Sequence, residues 1–210
     1  LRETKGGIVV SLDDMNDYYD VTLKEHRLAL VEETAAQSSA THVFVRGSIG
    51  NVALVNQLFE EYAFDIVVNL AAQAGVRYSI DHPEVYVESN IIGFFNILEA
   101  CRHYPVEHLV YASSSSVYGS NKKVPYSTED RVDNPASLYA ATKKSDELLA
   151  YAYAKLYGIP CTGLRFFTVY GPMGRPDMAY FKFTDKIVKG QPIQIYNMGD
   201  MRRDFTYVED

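Results

Sequence analysis

The sequence predicts an α/β fold built on a doubly wound parallel sheet, with a smaller C-terminal region after it. Short β-branched runs alternate with longer helical patterns, which is typical of a parallel sheet with helices on both faces. Runs such as IVVNL and HLVYA are apolar almost throughout, as expected for strands buried on both faces. After Phe166 the pattern changes to turns and shorter elements, which marks the second region.

The strands expected in the parallel sheet are short apolar runs between turn signals, at Ile8–Leu12, His42–Val45, Ile66–Leu70, His108–Ala112 and Cys161–Phe166. The helices predicted between them cover Leu23–Glu33, Asn51–Tyr62, Glu84–His103 and Ser137–Tyr157. Start signals precede the last of these helices and Gly158 with Pro160 stops it. The second region is predicted to contain a helix near Phe181–Lys189 and short strands near Ile193 and Phe205.

Composition excludes several classes of function. The chain has 210 residues, is 47% hydrophobic and carries a net charge of -7, so it should fold and has no electrostatic reason to bind nucleic acid. No apolar run reaches the ~20 residues of a membrane span, and the start LRETKGG does not resemble a signal peptide, so we expect a cytoplasmic location. The cysteines and histidines lack ligand spacing, and no metal site is predicted.

One expected unit does not occur in the sequence. A dinucleotide-binding sheet opens with a strand, a glycine-rich turn and a helix whose N-terminus receives the pyrophosphate. Here Gly6 and Gly7 precede the first predicted strand instead. Because the first strand lies at the centre of a doubly wound sheet, its loss would open the middle of the fold. We interpret the chain as truncated at both ends.

Tyr139 and Lys143 stand four residues apart in SLYAATKK, so the predicted helix places both side chains on one face. A tyrosine that acts as a base near pH 7 needs its pKa lowered from ~10 by ~3 units, and one nearby cation supplies ~1 to 3 units. Ser114 follows the strand HLVYA, at the sheet edge where open α/β folds bind ligands. By itself, however, this Tyr-Lys spacing is more often an ordinary exposed helix face.

Seven stretches match one known family in order along nearly the whole chain: NDYYDVTLK, NLAAQAGVRYS, YASSSSVYG, SLYAATKK, LRFFTVYGP, GRPDMA and RRDFTYVED. The chain resembles the extended short-chain dehydrogenase/reductases, and within them the UDP-glucuronate 4-epimerases. The resemblance implies a Rossmann-type sheet, tightly bound NAD, and 4-epimerisation of UDP-glucuronate to UDP-galacturonate through a 4-keto sugar. It implies Ser114, Tyr139 and Lys143 as the catalytic set, with Ser114 also bonded to the substrate. The positive nicotinamide ring of NAD would then help to lower the tyrosine pKa.

The same resemblance implies a set of cofactor contacts. Asp13, after the first predicted strand, would hold the adenosine ribose, whereas a simple turn or helix cap is the alternative. Besides Tyr139 and Lys143, the implied NAD contacts are Ser48, Ile49, Leu70, Ala71, Ala72 and Asn90. For Asn90 the alternative is a helix residue that bonds its own backbone.

A 4-keto glucuronate is a β-keto acid that readily loses carbon dioxide. An epimerase must therefore hold the carboxylate away from the geometry that favours decarboxylation. The resemblance assigns this grip to Thr168 and Arg175, with Ser115 as a hydroxyl partner, and assigns the nucleotide diphosphate to Arg203. The alternatives are a packed strand end for Thr168, a solvated loop for Arg175 and a surface salt bridge for Arg203. Arg77 is a further candidate whose role the sequence leaves open.

The sequence departs from the family pattern at three places. The glycine loop is absent, Ser48 stands where the family has an acidic residue near the adenine, and Met173 replaces a common tryptophan. The first departure leaves NAD binding by this chain open. The second removes one hydrogen bond, which contributes only ~0.5–1.5 kcal/mol.

Related dehydratases and decarboxylases carry acidic residues where this chain has Ser115 and Ser116, so elimination chemistry ranks low. The alternatives that remain are a UDP-glucose 4-epimerase or another nucleotide-sugar epimerase, because selectivity depends on a few pocket residues. An inactive fragment or interaction module is the alternative of another class.

The resemblance also predicts domain organisation and assembly. Residues 1-166 are expected to form the NAD-binding Rossmann domain without its first strand and glycine loop, and residues 167-210 the start of the nucleotide-sugar-binding region. Helices 84-103 and 137-157 pair across the dimer in this family, which implies a homodimer.

Overall fold

The computed structural model describes residues 6–210. Within that range the β-strands are β1 Ile8–Asp13, β2 Thr41–Arg46, β3 Ile66–Asn69, β4 His108–Ser114, β5 Cys161–Phe166, β6 Thr168–Tyr170 and β7 Phe205–Tyr207. The α-helices are α1 Val21–Ala36, α2 Val52–Tyr62, α3 Tyr78–Asp81, α4 Pro83–Tyr86, α5 Gly93–His103, α6 Leu138–Tyr157 and α7 Ala179–Val188. A π-helical turn, Val87–Ile92, joins α4 to α5, and 3-10 helices lie at Ser115–Tyr118 and Asn197–Gly199.

All strand pairs in the described residues are parallel. β1 pairs with β2, and β3, β4 and β5 form a separate sheet in that order, with Ser114 opposite Phe166 at its end. A third, small sheet contains β6 and β7. The parallel α/β organisation predicted from the sequence is thus confirmed. The five predicted strands fall into two sheets rather than one.

The predicted elements agree with the structure closely, and the differences have local causes. The five strands of the first region begin and end within one or two residues of the predicted positions. Asn51 and Ser137, predicted as first helical residues, are instead the N-caps of α2 and α6, because each side chain accepts a hydrogen bond from a backbone N–H of the first turn. The helix predicted over 84-103 is interrupted by the π-helical turn around Asn90.

The strand predicted near Ile193 was wrong. The structure describes the stretch 191–195 as irregular, and the strand that pairs with β7 is β6, which the sequence did not predict. Pro192 precedes Ile193 and has no backbone N–H to donate to a ladder, which explains the failure of this short apolar run to form a strand. The other two elements predicted for the second region, a helix near Phe181 and a strand at Phe205, are confirmed.

The main core lies between α5 and the sheet that contains β4. Phe94, Ile97, Leu98 and Cys101 are buried at helical spacing along one face of α5. On β4 every second residue is buried, with Leu109 almost fully enclosed. This packing fixes the position of the strand that ends at Ser114.

The described residues form two compact units. The residues up to Arg46 belong with Phe167–Asp210 to one unit, and Gly47–Phe166 form the other. The functional division at residue 166 stays a prediction. Among residues 6–210, no helix combines the length and the apolar character that a membrane crossing requires.

Candidate active site

Ser114 is the last residue of β4 and caps the 3-10 helix that follows it. Its Oγ accepts a hydrogen bond from the backbone N–H of Ser116 at 3.2 Å and another from the Ser116 hydroxyl at 2.9 Å. A hydroxyl has two lone pairs and one proton. Because both acceptor positions are used, Ser114 is arranged to donate its proton to an oxygen atom.

The helix α6 carries Tyr139 and Lys143 one turn apart on the same face. The Ser137 hydroxyl caps this helix by accepting a hydrogen bond from the N–H of Ala140 at 3.0 Å. The half-buried Tyr139 ring meets the ring of Tyr86 edge to face, with 6.1 Å between the centroids. The position of the phenol is therefore fixed both by its own helix and by α4.

Lys143 is buried and reaches the strand that carries Ser114. Its Nζ donates to the carbonyl oxygen of Ala112 at 2.9 Å and to Oδ2 of Asp146 at 3.1 Å. An ammonium group has three protons, and the third has no partner among the residues that the structure describes. Ala112 lies two residues before Ser114, so the catalytic trio predicted from the sequence is gathered on α6 and the end of β4.

A second charged network ties α6 to the same strand ends. Arg165 on β5 donates to Glu147 on α6 through Nε at 2.8 Å and through Nη2 at 2.9 Å, and the Ser113 hydroxyl donates to the same carboxylate at 2.6 Å. Burial opposes the ionisation of Glu147, but the hydrogen bonds from Arg165 and Ser113 outweigh it and hold its pKa below the usual value. The Arg165 guanidinium also lies 5.0 Å from the centre of the Tyr118 ring.

Sequence reasoning missed the roles of Asp146, Glu147 and Arg165. A signal was present, because Asp146 and Glu147 follow Lys143 by three and four residues and so continue its helix face. Arg165 stands opposite Ser113 in the parallel register of β4 and β5. The pairing of an α6 carboxylate with a β5 guanidinium depends on tertiary packing that no local pattern reveals.

Ser48 and Ile49, both predicted cofactor contacts, lie in the loop after β2, in the same unit as the trio. Asn96 on α5 donates to the carbonyl oxygens of Ile49 at 2.9 Å and Gly50 at 3.2 Å. The Ser48 hydroxyl accepts a hydrogen bond from the N–H of Gly50 at 3.0 Å. This loop is therefore held rigidly on α5, and the side chain of Ile49 is buried.

Leu70, Ala71 and Ala72 directly follow β3, and Leu70 is exposed while the two alanines are half-buried. Asn90 lies fully buried in the π-helical turn. Its Oδ1 accepts from the N–H of Gln73 at 2.8 Å, and its Nδ2 donates to the Gln73 carbonyl at 3.1 Å and to Oγ1 of Thr142 at 3.0 Å. These bonds go to Gln73 and Thr142, and not to the backbone of its own helix as the alternative interpretation expected. Asn90 instead fixes the loop after β3 to α6.

Asp13, the last residue of β1, belongs to the other unit. Its Oδ1 accepts a hydrogen bond from the N–H of Met15 at 2.7 Å, which forms the turn that the sequence offered as an alternative. Its Oδ2 has no partner among residues 6–210. The carboxylate is exposed and shapes its loop.

The predicted substrate residues Thr168, Arg175 and Arg203 lie in the same unit as Asp13. Thr168 is half-buried and begins β6. Arg175 pairs with Asp177, with Nε at 3.1 Å from Oδ1 and Nη2 at 3.3 Å from Oδ2, so its guanidinium is already partly neutralised. Arg203 is exposed and donates to the backbone of its neighbour at 2.8 Å.

Two other candidates lie near residues already described. Ser115 is half-buried at the start of the 3-10 helix after Ser114. Arg77 is exposed and precedes α3. The structure assigns neither of them a ligand contact.

The residues present fit parts of NAD. The free Oδ2 of Asp13 suits ribose hydroxyls, and the remaining N–H of Lys143 suits a hydroxyl acceptor. The small side chains of Ala71 and Ala72 leave the backbone after β3 open to close approach by a flat ring. A glycine-rich turn between a strand and a helix, which would receive the pyrophosphate, is not found within residues 6–210.

Comparison with known proteins decides the family. The NAD dependent epimerase/dehydratase family matches residues 9–210. The chain belongs to this family. The sequence is 54% identical over 206 residues to Protein CapI of Staphylococcus aureus, covering 98% of the chain and 60% of that protein. It is 54% identical over 210 residues to UDP-glucuronate 4-epimerase 3 of Arabidopsis thaliana, covering 98% of the chain and 47% of that protein.

A solved structure of a related protein matches the fold of this chain. The crystal structure of UDP-glucuronic acid 4-epimerase from Bacillus cereus, in complex with UDP-glucuronic acid and NAD, matches with a TM-score of 0.85 at 35% identity. The match covers 95% of this chain and 61% of the Bacillus cereus chain. The epimerase/dehydratase fold predicted from the sequence is confirmed. The chain spans 60% of the length of Protein CapI and 47% of the length of the Arabidopsis thaliana protein.

Proposed function

We propose that the protein is an NAD-dependent isomerase that inverts C4 of UDP-glucuronate to give UDP-galacturonate through a 4-keto sugar. The observation that carries this proposal is the placement of Tyr139 and the buried Lys143 on one face of α6, with Lys143 bonded to the strand that ends at Ser114. The similar proteins from Arabidopsis thaliana and Bacillus cereus, which bear the name of this activity, support the choice of substrate.

Each member of the trio has a role that follows from its contacts. Tyr139, as phenolate, removes the proton from the C4 hydroxyl of the sugar and later returns it. Ser114 donates a hydrogen bond to the same oxygen, because its acceptor positions are already used by Ser116. Lys143 favours the phenolate through its charge. NAD, when bound, would supply the hydride acceptor and donor for C4 of the sugar.

The residues proposed to hold the cofactor are those the sequence resemblance indicated: Asp13, Ser48, Ile49, Leu70, Ala71, Ala72, Asn90, Tyr139 and Lys143. Asp13 would bind a ribose through its free Oδ2. Asn90 would act through the loop after β3, since both of its amide protons and one acceptor position of Oδ1 are used there and on Thr142. Residues 167-210 are proposed to begin the nucleotide-sugar-binding region, with Thr168, Arg175 and Ser115 toward the carboxylate and Arg203 toward the diphosphate.

The pairing of Arg175 with Asp177 favours a second candidate function. A guanidinium that already has a carboxylate partner binds a second carboxylate less strongly than a free one, so a neutral hexose is a credible substrate. The second candidate is therefore UDP-glucose 4-epimerisation. The full-length protein should be incubated with UDP-glucuronate and with UDP-glucose, and the products separated by chromatography. Turnover of the neutral sugar alone would exclude the first proposal.

Substitution of the base tests the chemistry itself. Tyr139→Phe keeps the ring packing on Tyr86 and removes the phenol oxygen, so we expect kcat to fall by at least ~100-fold, the usual contribution of general acid–base catalysis. Tyr62→Phe, at the end of α2, is the matched control and should retain normal turnover. Equal rates in the two variants would contradict the proposed role of Tyr139.

We also propose a homodimer formed through α5 and α6. Exposed apolar side chains lie on both helices: Phe95 on α5 is 42% exposed, and Leu148 and Tyr151, one turn apart on α6, are 58% and 66% exposed. Phe95 also meets Tyr153 edge to face at 6.3 Å, so the two helices form one surface. A self-associating apolar patch explains this exposure. Leu148→Asp should convert a dimer to a monomer in light scattering, and a wild-type monomer would contradict the proposal.

A cytoplasmic location is proposed in addition. Cys101 and Cys161 are both free thiols, which suits a reducing compartment. Fractionation of the native host with an antibody against the protein tests this location.

A further inference from the structure

Asp146 is a buried carboxylate next to the proposed catalytic lysine, and the mechanism above does not use it. The side chains of Lys143 and Asp146 are 3% and 2% exposed, and Nζ lies 3.1 Å from Oδ2. The other oxygen, Oδ1, is buried and has no hydrogen-bond partner within residues 6–210. Burying a carboxylate with one unpaired oxygen is unfavourable. The ion pair with Lys143 offsets part of this penalty, although burial still raises the pKa of Asp146.

Among the residues that the structure describes, Lys143 is the positive charge that acts on Asp146. Burial raises the pKa of Asp146 to about 7, the Lys143 charge lowers it, and Glu147 on the same helix raises it. Tyr111 faces it from β4, and its phenol stays neutral because burial raises its pKa. The state of the carboxylate and the state of the lysine are therefore tied to one another.

We propose that Asp146 is a positioning residue that holds the Lys143 ammonium against β4 and sets how much of its positive charge acts on Tyr139. The proposal rests on the proposed function, in which Tyr139 is the base. Two of the three ammonium protons are fixed by Ala112 and Asp146, which leaves the third with a defined direction. Once Asp146 has lost its proton, at about pH 7 and above, the pair has no net charge, so it favours the phenolate less than a lysine without a counter-ion would.

The Asp146→Asn substitution separates charge from shape. The amide keeps an acceptor for Lys143 and removes the negative charge, so Lys143 should favour the phenolate more strongly. We expect the acidic limb of the kcat against pH profile to move to lower pH by ~0.5–1 unit, less than the full effect of one adjacent charge. Asp146→Leu removes the acceptor as well, and kcat should fall by ~10-fold or more because the ammonium is no longer fixed.

Asp185→Asn is the matched control. Asp185 on α7 also pairs with a lysine, Lys189, at 2.8 Å, but these side chains are 45% and 58% exposed. Its pH profile should coincide with that of the wild type. An unchanged profile in Asp146→Asn, with the protein folded, overturns the proposal. Should Asp146→Asn fail to fold, Asp146→Ser, whose hydroxyl still accepts a bond from Lys143, is expected to shift the profile in the same direction.

A readout without turnover distinguishes this inference from the proposed function. In full-length protein labelled with carbon-13 at the tyrosine ζ position, the Tyr139 resonance is identified by its loss in Tyr139→Phe. Its titration should move to lower pH in Asp146→Asn. A shift without any epimerase activity would refute the proposed function and support the role of Asp146. Activity without a shift would refute the role of Asp146 alone.

Discussion

The Glu147–Arg165 pair offers the sharpest test of what holds the candidate site together. In Glu147→Ala, Arg165 loses two hydrogen bonds, at 2.8 and 2.9 Å, and Ser113 loses its acceptor at 2.6 Å. The variant therefore leaves the Arg165 charge without its carboxylate partner and the Ser113 hydroxyl without its acceptor. Their loss should lower both the free energy of unfolding and the precision with which α6 meets β4.

The magnitude follows from exposure. The side chains of Glu147 and Arg165 are 14% and 18% exposed, so the pair lies closer to the buried limit than to the surface. Removal of one partner of a buried pair lowers stability by ~3–5 kcal/mol, and loss of an exposed pair by ~0–1 kcal/mol. We expect ~2–3 kcal/mol for Glu147→Ala, because water still reaches part of the site. Glu147→Gln, which keeps an acceptor, should lose about half as much.

Urea unfolding measured by circular dichroism provides the assay, since the chain has no tryptophan to report by fluorescence. Lys123→Ala is the control: Lys123 pairs with Asp130 at 2.6 Å but is 64% exposed, and it should lose less than ~1 kcal/mol. The double variant Glu147→Leu with Arg165→Met should recover most of the loss, because it removes both charges. A Glu147→Ala variant no less stable than Lys123→Ala would refute the reasoning.

Three other perturbations act on single contacts. Burial raises the pKa of Asp146 from 3.8 to about 7, so the native state keeps a proton that the unfolded chain releases between those values. Stability should therefore fall as pH rises through this window, by at most ~1.4 kcal/mol per pH unit, and urea midpoints of Asp146→Asn should lack this part of the slope. Arg175→Ala should increase the fraction of decarboxylated product from UDP-glucuronate, measured by mass spectrometry; an unchanged fraction would limit Arg175 to its pair with Asp177. A Cβ on Gly93 would lie 2.6 Å from Ile49. Gly93→Ala should therefore lower the free energy of unfolding, measured with urea, by ~1–3 kcal/mol, and Ile49→Ala in that background should restore part of it.

Local pattern was sufficient for the fold where periodicity and capping agree. The run HLVYA was predicted as a strand from its apolar residues. The helix of SLYAATKK was predicted because Asn134 and Pro135 precede it and Gly158 with Pro160 stops it. The stretch near Ile193 failed because a strand also needs a partner, and a short apolar run carries no information about pairing. The π-helical turn at Asn90 was missed for a similar reason, since its amide serves a loop distant in sequence.

The candidate site divides in the same way. The positions of the trio were predictable, because Tyr139 and Lys143 have a helical spacing and Ser114 follows an apolar strand, but their catalytic role rests on the family resemblance and stays a prediction. The network of Ser113, Glu147 and Arg165 was not, since its members come from three elements and meet only in the packed unit. Predictions for Arg175 and Asp13 rest on resemblance, and the structure adds the local partners with which a ligand must compete or coexist.

The face of α6 that carries the proposed base also carries the groups that fix the helix to the sheet. Lys143, Asp146 and Glu147 follow Tyr139 at four, seven and eight residues, the spacing of one helical face. A catalytic group must be held within ~0.5 Å of its productive position, which needs a supporting shell with few alternative arrangements. Here that shell consists of polar contacts to the ends of β4 and β5, which have directional geometry that apolar packing lacks. A substitution in these contacts should therefore reduce catalysis as well as stability, whereas a core substitution on α5 should act mainly on stability.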